Sequence, residues 1–178
     1  EFMSHLRPFC GVRPQSALAS EIIAPPYDVL DEAEAREIVS RLPKSFLRVT
    51  RSEVDLPEGS DSHGREAYEK AGENLLKYIE DGWLVQDDTP CFYLYTQTWK
   101  GRTQTGLMAL CDTEEYDQNL IKKHELTRPV KEQDRTDHID ILGAQTGLVF
   151  LTYRDQYAGV QAAMNQAKGL DADWSVTT

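Results

Sequence analysis

The segment Ile121-Lys122-Lys123-His124-Glu125-Leu126-Thr127-Arg128-Pro129-Val130-Lys131-Glu132-Gln133-Asp134-Arg135 brings a histidine, carboxylates, a hydroxyl and cations together at one loop-to-helix junction. Phosphoryl transfer uses such parts. It needs a base for the attacking hydroxyl and positive charge around the moving phosphoryl group, and requires no covalent intermediate. Pro129 sits early in what reads as a helix, where its missing N–H costs nothing, so the helix is expected to begin close to Glu125. Such a start places His124, Glu125 and Thr127 beside free backbone N–H groups and the positive end of a helix dipole, a setting suited to phosphate. A plainer reading accounts for the same residues. Thr127 caps the helix, Lys131 and Arg135 are solvated neighbours one turn apart, and Glu132 complements the dipole.

Familiar alternatives are missing from the sequence. There is no G-x-x-x-x-G-K-[ST] loop, no strand-linked G-x-G-x-x-G and no G-x-S-x-G elbow. His5, His63, His124 and His138 lack H-E-x-x-H spacing, so no metal site is expected, and His138 is expected to face solvent or a carboxylate such as Asp134. Ala24-Pro25-Pro26-Tyr27-Asp28-Val29 is a stiff loop in which two prolines forbid helix. It makes either a pocket wall presenting Tyr27 and Asp28 or a rigid turn.

The elements that must position these groups follow from patterning. A helix is expected from Asp31 as cap to Leu42, stopped by Pro43. A half-buried strand is expected over Ser45–Arg51, and a mobile, lid-like loop over Leu56–Gly64. Tyr68, Ala71, Leu75, Leu76 and Ile79 form the core stripe of a helix from Arg65 to Asp81, closed by Gly82. Cys91–Trp99 and Thr103–Leu110 flank Lys100-Gly101-Arg102 as an antiparallel hairpin, with Tyr93, Tyr95 and Trp99 on one face. That face serves either packing or the stacking of a base. A polar helix to about Gln145, a strand Gly147–Tyr153 and a helix from Gln156 complete a mixed unit. The expected class is α+β, a mixed sheet with an antiparallel hairpin and packed helices.

Composition bounds the partners. The 178 residues are 40% hydrophobic, enough for a real core, and the formal net charge of -11 opposes nucleic acid and anionic membranes alike. No apolar run approaches the roughly 20 residues that cross a bilayer, and no signal peptide precedes Met3, so a cytoplasmic protein is expected. Cys10, Cys91 and Cys111 show no C-x-x-C pair and are expected to be reduced thiols. Glu1-Phe2 resembles a cloning scar, which puts the expected native start at Met3.

A resemblance joins these pieces. Ala24-Pro25-Pro26-Tyr27-Asp28-Val29, Tyr68 and Ala71, Gly82-Trp83-Leu84, Tyr93-Leu94-Tyr95, and His124-Glu125-Leu126-Thr127 with Lys131, Asp134 and Arg135 resemble the family called domain of unknown function 1015 nearly end to end. Longer members carry a downstream D-G-H-H-R-Y segment, so the resemblance implies that this chain is the amino-terminal part. More distantly, a glutamate at a strand-to-helix junction is similar to the ParB/sulfiredoxin superfamily, in which free serine kinases use it as the base for the substrate hydroxyl. Carried over, that role falls on Glu125 alone, since the superfamily's phosphate loop has no matching position; His124, Thr127, Lys131, Asp134, Arg135, Tyr27 and Asp28 stand as substrate- or phosphate-binding candidates from the motifs quoted above.

The expectation is therefore an amino-terminal α/β lobe over 3–120 and the start of a ParB/sulfiredoxin-like strand-helix-strand lobe over 121–178. The resemblance implies a small-molecule kinase for a hydroxyl of serine or a similar metabolite, using ATP or ADP with Mg²⁺ in the full-length protein, the fragment itself being inactive. A small-molecule substrate is the expected partner, with neither nucleic acid nor membrane. The rival is a noncatalytic nucleotide- or protein-binding regulatory module.

Overall fold

The computed structural model describes residues 5–124, 126–153 and 158–177. In chain order its strands are β1 (Leu6–Arg7), β2 (Val12–Pro14), β3 (Leu84–Gln86), β4 (Tyr93–Trp99), β5 (Arg102–Met108) and β6 (Leu110–Cys111). Its helices are α1 (Ala19–Ile22), α2 (Glu32–Arg41), α3 (Leu47–Thr50), α4 (Arg65–Glu80), α5 (Thr113–Asp117), α6 (Pro129–Leu142) and α7 (Ala158–Lys168). The class is α+β. The strands form three two-stranded sheets, β1 with β6, β2 with β3 and β4 with β5, in place of the single mixed sheet expected.

Contacts divide the chain into two compact units. One comprises Glu1–Val12, Gln86–Leu126 and Leu151–Asp173, and the other Arg13–Val85, Thr127–Phe150 and Trp174–Thr178. The second unit is mainly helical. Asp31 and Glu34 close a reciprocal capping box at the start of α2, each carboxylate accepting the other's backbone N–H at 2.8 and 2.9 Å. Helix α4 buries Ala67, Tyr68, Ala71, Leu75 and Tyr78, which recur at three and four residues on one face. Leu76 and Ile79, expected in that stripe, are exposed instead. Gly82 at φ +70° turns the chain out of α4, and Trp83 N–H returns to Tyr78 O at 2.9 Å, as a Schellman end requires.

The Ser45–Arg51 segment is a correction: Leu47–Thr50 is one turn of helix, not strand. Leu47 packs with Ala35, Val39 and Val54, whereas Val49 packs with Ile22, Leu75, Tyr78 and Leu84, so the turn joins two apolar clusters. Side chains take its backbone carbonyls. Tyr78 Oη donates to Ser45 O at 2.8 Å and Asn74 Nδ2 to Arg48 O at 2.6 Å. Burial and these bonds override the β preference of the alternating residues. Burial also pushes the Tyr78 hydroxyl up to about 12.

The expected strand Gly147–Tyr153 is likewise absent. Leu148, Val149 and Phe150 are exposed, and among the described residues no strand lies alongside to take their backbone bonds. An apolar run specifies a strand only where a partner edge exists.

In the first unit, β4 and β5 pair from Tyr93↔Met108 to Trp99↔Arg102. Lys100 and Gly101, at φ +49° and +75°, supply the left-handed pair that tight hairpin turns favour. Helix α7 packs on β4 and buries Met164. Cys10, Cys91 and Cys111 are free thiols. Among the described residues, no helix is long and apolar enough to cross a membrane.

Candidate functional site

The site grows from the loop that two prolines stiffen. Pro26 is extended, and Tyr27–Val29 form a 3₁₀ turn. The Arg51 guanidinium fixes this turn by donating to Tyr27 O at 3.0 Å and Leu30 O at 2.5 Å, while its Nε meets the buried Glu53 carboxylate at 2.6 Å. Tyr27 is thus held with its ring partly open to solvent. The Arg135 guanidinium lies over that ring, 5.0 Å from its centre.

Helix α6 supplies Arg135 and its neighbour Asp134. Pro129 occupies its first turn and Arg128 is the extended N-cap, with no side-chain cap bond. The helix therefore starts at Pro129 rather than near Glu125, and Thr127 does not cap it. Asp134 is largely buried and both its oxygens are used. Oδ1 accepts from the Tyr68 hydroxyl of α4 and pairs with His63 Nδ1 at 2.6 Å. Oδ2 accepts Arg135 Nε at 2.9 Å and Nη2 at 2.8 Å.

The electrostatics follow from this crowding. Burial acts to raise the Asp134 pKa, but the bonds from Tyr68, Arg135 and His63 outweigh it and hold the carboxyl below its ordinary value. Tyr68 is pushed up, by burial first and then by Asp134, and so stays a donor. His138, expected to face solvent or a carboxylate, is buried instead. Its ring meets Tyr68 edge-on at 5.6 Å, and burial together with Arg135 depresses its pKa.

Of the residues singled out from sequence, the structure gathers Tyr27, Asp134 and Arg135. Asp28, Thr127 and Lys131 are exposed in the same unit and take no part in the network. His124 is exposed and belongs to the other unit. Lys122 donates to Asn119 O at 2.6 Å, and Lys123 sits 4.5 Å from the Tyr116 ring centre. Glu125, the residue given the base role, lies outside the described residues. Sequence reasoning missed Tyr68, assigned to the core, and His63, assigned to a lid. His63 meets Asp134 across 71 positions of sequence, which no local pattern signals.

Tyr27 of A-P-P-Y-D-V and Asp134-Arg135 of the later motif thus meet inside one unit, although sequence alone separates them. A family model described as protein of unknown function (DUF1015) matches residues 6–178. The chain belongs to the DUF1015 family. No curated protein and no solved structure matches it significantly. The DUF1015 description names no activity. Among the described residues no group of three or more histidine, cysteine or carboxylate side chains is placed to hold a metal ion. What the network offers is a fixed guanidinium on an aromatic face and a histidine oriented by a carboxylate.

Proposed function

We propose that the chain is the amino-terminal part of a cytoplasmic small-molecule kinase of ParB/sulfiredoxin type, phosphorylating a hydroxyl of serine or a similar metabolite. The supporting observation is the meeting of Arg135 with Tyr27, 5.0 Å apart, with Asp134 behind the guanidinium. A guanidinium locked on an aromatic face has lost its rotamer freedom before a ligand arrives, and its planar fork suits phosphate. In this reading Glu125 is the base, and Asp134 fixes Arg135. Thr127, Lys131, Tyr27 and Asp28 border the substrate, and His124 is kept as a phosphate-binding candidate on the family resemblance alone. ATP or ADP with Mg²⁺ is the phosphoryl donor in this reading.

The test is a metabolite-wide phosphorylation assay on the full-length protein, followed by Glu125→Gln. Losing the basic oxygen should cost roughly 10²- to 10⁴-fold in turnover with little change in substrate affinity. Unimpaired turnover with a lowered melting point would remove Glu125 from the mechanism.

One observation favours the second reading, a noncatalytic nucleotide- or protein-binding module. Trp99 at the hairpin end is 72% exposed, with Lys100 Nζ 4.3 Å from its ring centre, and Tyr95 on the same face is also exposed. Mutating Trp99 without loss of any nucleotide or protein binding would count against that reading.

A further inference from the structure

The kinase reading leaves His63 without a role, yet its geometry is specific. His63 stands at the end of the loop before α4, where its own N–H bonds Asp61 Oδ1 at 2.9 Å and fixes the backbone. Its Nδ1 lies 2.6 Å from Asp134 Oδ1. The Asp134 side chain is only 10% exposed, whereas that of His63 is 54% exposed. An ionised carboxylate accepts only, so the shared proton sits on Nδ1 and neutral His63 keeps a lone pair on Nε2. Among the described residues nothing bonds Nε2. Arg135 grips the other oxygen of the same carboxylate, so a guanidinium and a bare imidazole nitrogen flank one buried charge.

We propose that His63 and Asp134 form an acid–base pair in which Nε2 of the half-exposed imidazole accepts the proton of a hydroxyl-bearing, anionic small molecule while Arg135 holds the anion. The inference rests on the kinase reading for its reaction, and it puts His63 in competition with Glu125 for the base role. The substrate O–H bond breaks and the proton goes to Nε2. The oxygen keeps the electron pair and forms the new bond to phosphorus of a nucleoside polyphosphate, whose bridging P–O bond breaks with its pair on the departing nucleotide. His63 then releases the proton to water. Asp134 orients the ring and balances the imidazolium, the part a carboxylate plays in any such pair. The charged and titratable groups gathered around His63 are Asp61 on its own loop, Tyr68 on α4, and Asp134 and Arg135 on α6.

The first test needs no substrate. ¹⁵N NMR of the full chain above the titration of its histidines should show His63 as the Nδ1–H tautomer. Diethyl pyrocarbonate, which takes the imidazole lone pair, should modify His63 several-fold faster than exposed His124. Asp134→Asn, close in shape to the native residue, should erase that advantage. A His63 protonated on Nε2, or one reacting no faster than His124, overturns the proposal. The second test uses the full-length protein. His63→Gln should lower kcat by roughly 10²-fold or more with KM little changed. Undiminished turnover overturns the assignment and leaves the kinase reading standing. If the full-length protein phosphorylates nothing, the kinase reading falls, and the tautomer and reagent rates decide the acid–base pair alone.

Discussion

Each unit contains a tyrosine hydroxyl bonded to an aspartate, and the two differ in what surrounds them. In the first unit Tyr93 Oη donates to Asp87 Oδ2 at 2.6 Å, accepts Gly11 N–H at 2.8 Å and lies 3.2 Å from Phe9 O. Its partners beyond Asp87 are backbone groups, so this hydroxyl is a staple holding the amino-terminal strand. A Cβ at Gly11 would lie 2.8 Å from the same oxygen, which explains why a glycine stands there. In the second unit Tyr68, His63 and Arg135 all converge on Asp134 through side chains. Backbone partners saturate the first site inward, whereas the second leaves an imidazole and a guanidinium facing outward. Similar pairs thus serve architecture in one place and offer chemistry in the other.

The largest effect should come from Asp134→Ala. It strips Tyr68, His63 and Arg135 of their common acceptor and leaves a guanidinium uncompensated over Tyr27. A loss of about 3–5 kcal/mol is expected in chemical denaturation, as when one partner of a buried pair is removed. A change below about 1 kcal/mol would show that the network is solvated and not organised around this carboxylate.

Tyr93→Phe should cost less, about 1–3 kcal/mol, because it orphans one backbone N–H at Gly11 and removes the hydrogen bond to Asp87. It should also leave His63 reactivity untouched. Altered His63 reactivity in that variant would erase the distinction between staple and site.

The sequence exposed the ingredients of this comparison unevenly. Capping at Asp31, the α4 helix and the β4–β5 hairpin were legible because local chemistry dictates them: a capping box, a repeat of three and four, a glycine turn. Tyr27, Asp134 and Arg135 were legible as candidates from residue type and the family resemblance. Their meeting was not, because it depends on how Arg51 holds the Tyr27 turn and on how α6 packs against α4. Ser45–Arg51 and Gly147–Tyr153 read alike as strands yet differ in the structure. The first is drawn into a helical turn by two apolar clusters, and the second has no strand beside it among the described residues. Alternation records which faces are apolar, not what lies opposite them.

The smallest expected effect concerns pH and tests whether the Asp134 network is coupled to the core beneath it. His138 is buried against Tyr68, and its folded pKa is depressed below the ordinary 6.5, by burial first and by Arg135 next. Between its depressed value and 6.5 the unfolded chain binds a proton that the folded chain does not, so stability present at neutral pH is lost as pH falls through this window. Asp134 also has a depressed pKa, but its contribution fades only below the ordinary carboxyl value of 3.8, too acidic to matter between pH 7 and 5. The melting temperature should therefore fall on acidification from pH 7 to 5, and His138→Gln should flatten that dependence. A parallel scan of His63→Gln separates the exposed histidine from the buried one, since both adjoin the same network. If His138→Gln leaves the slope unchanged while His63→Gln removes it, the acid response belongs to the outward-facing site, and the core beneath Tyr68 is indifferent to protonation above it.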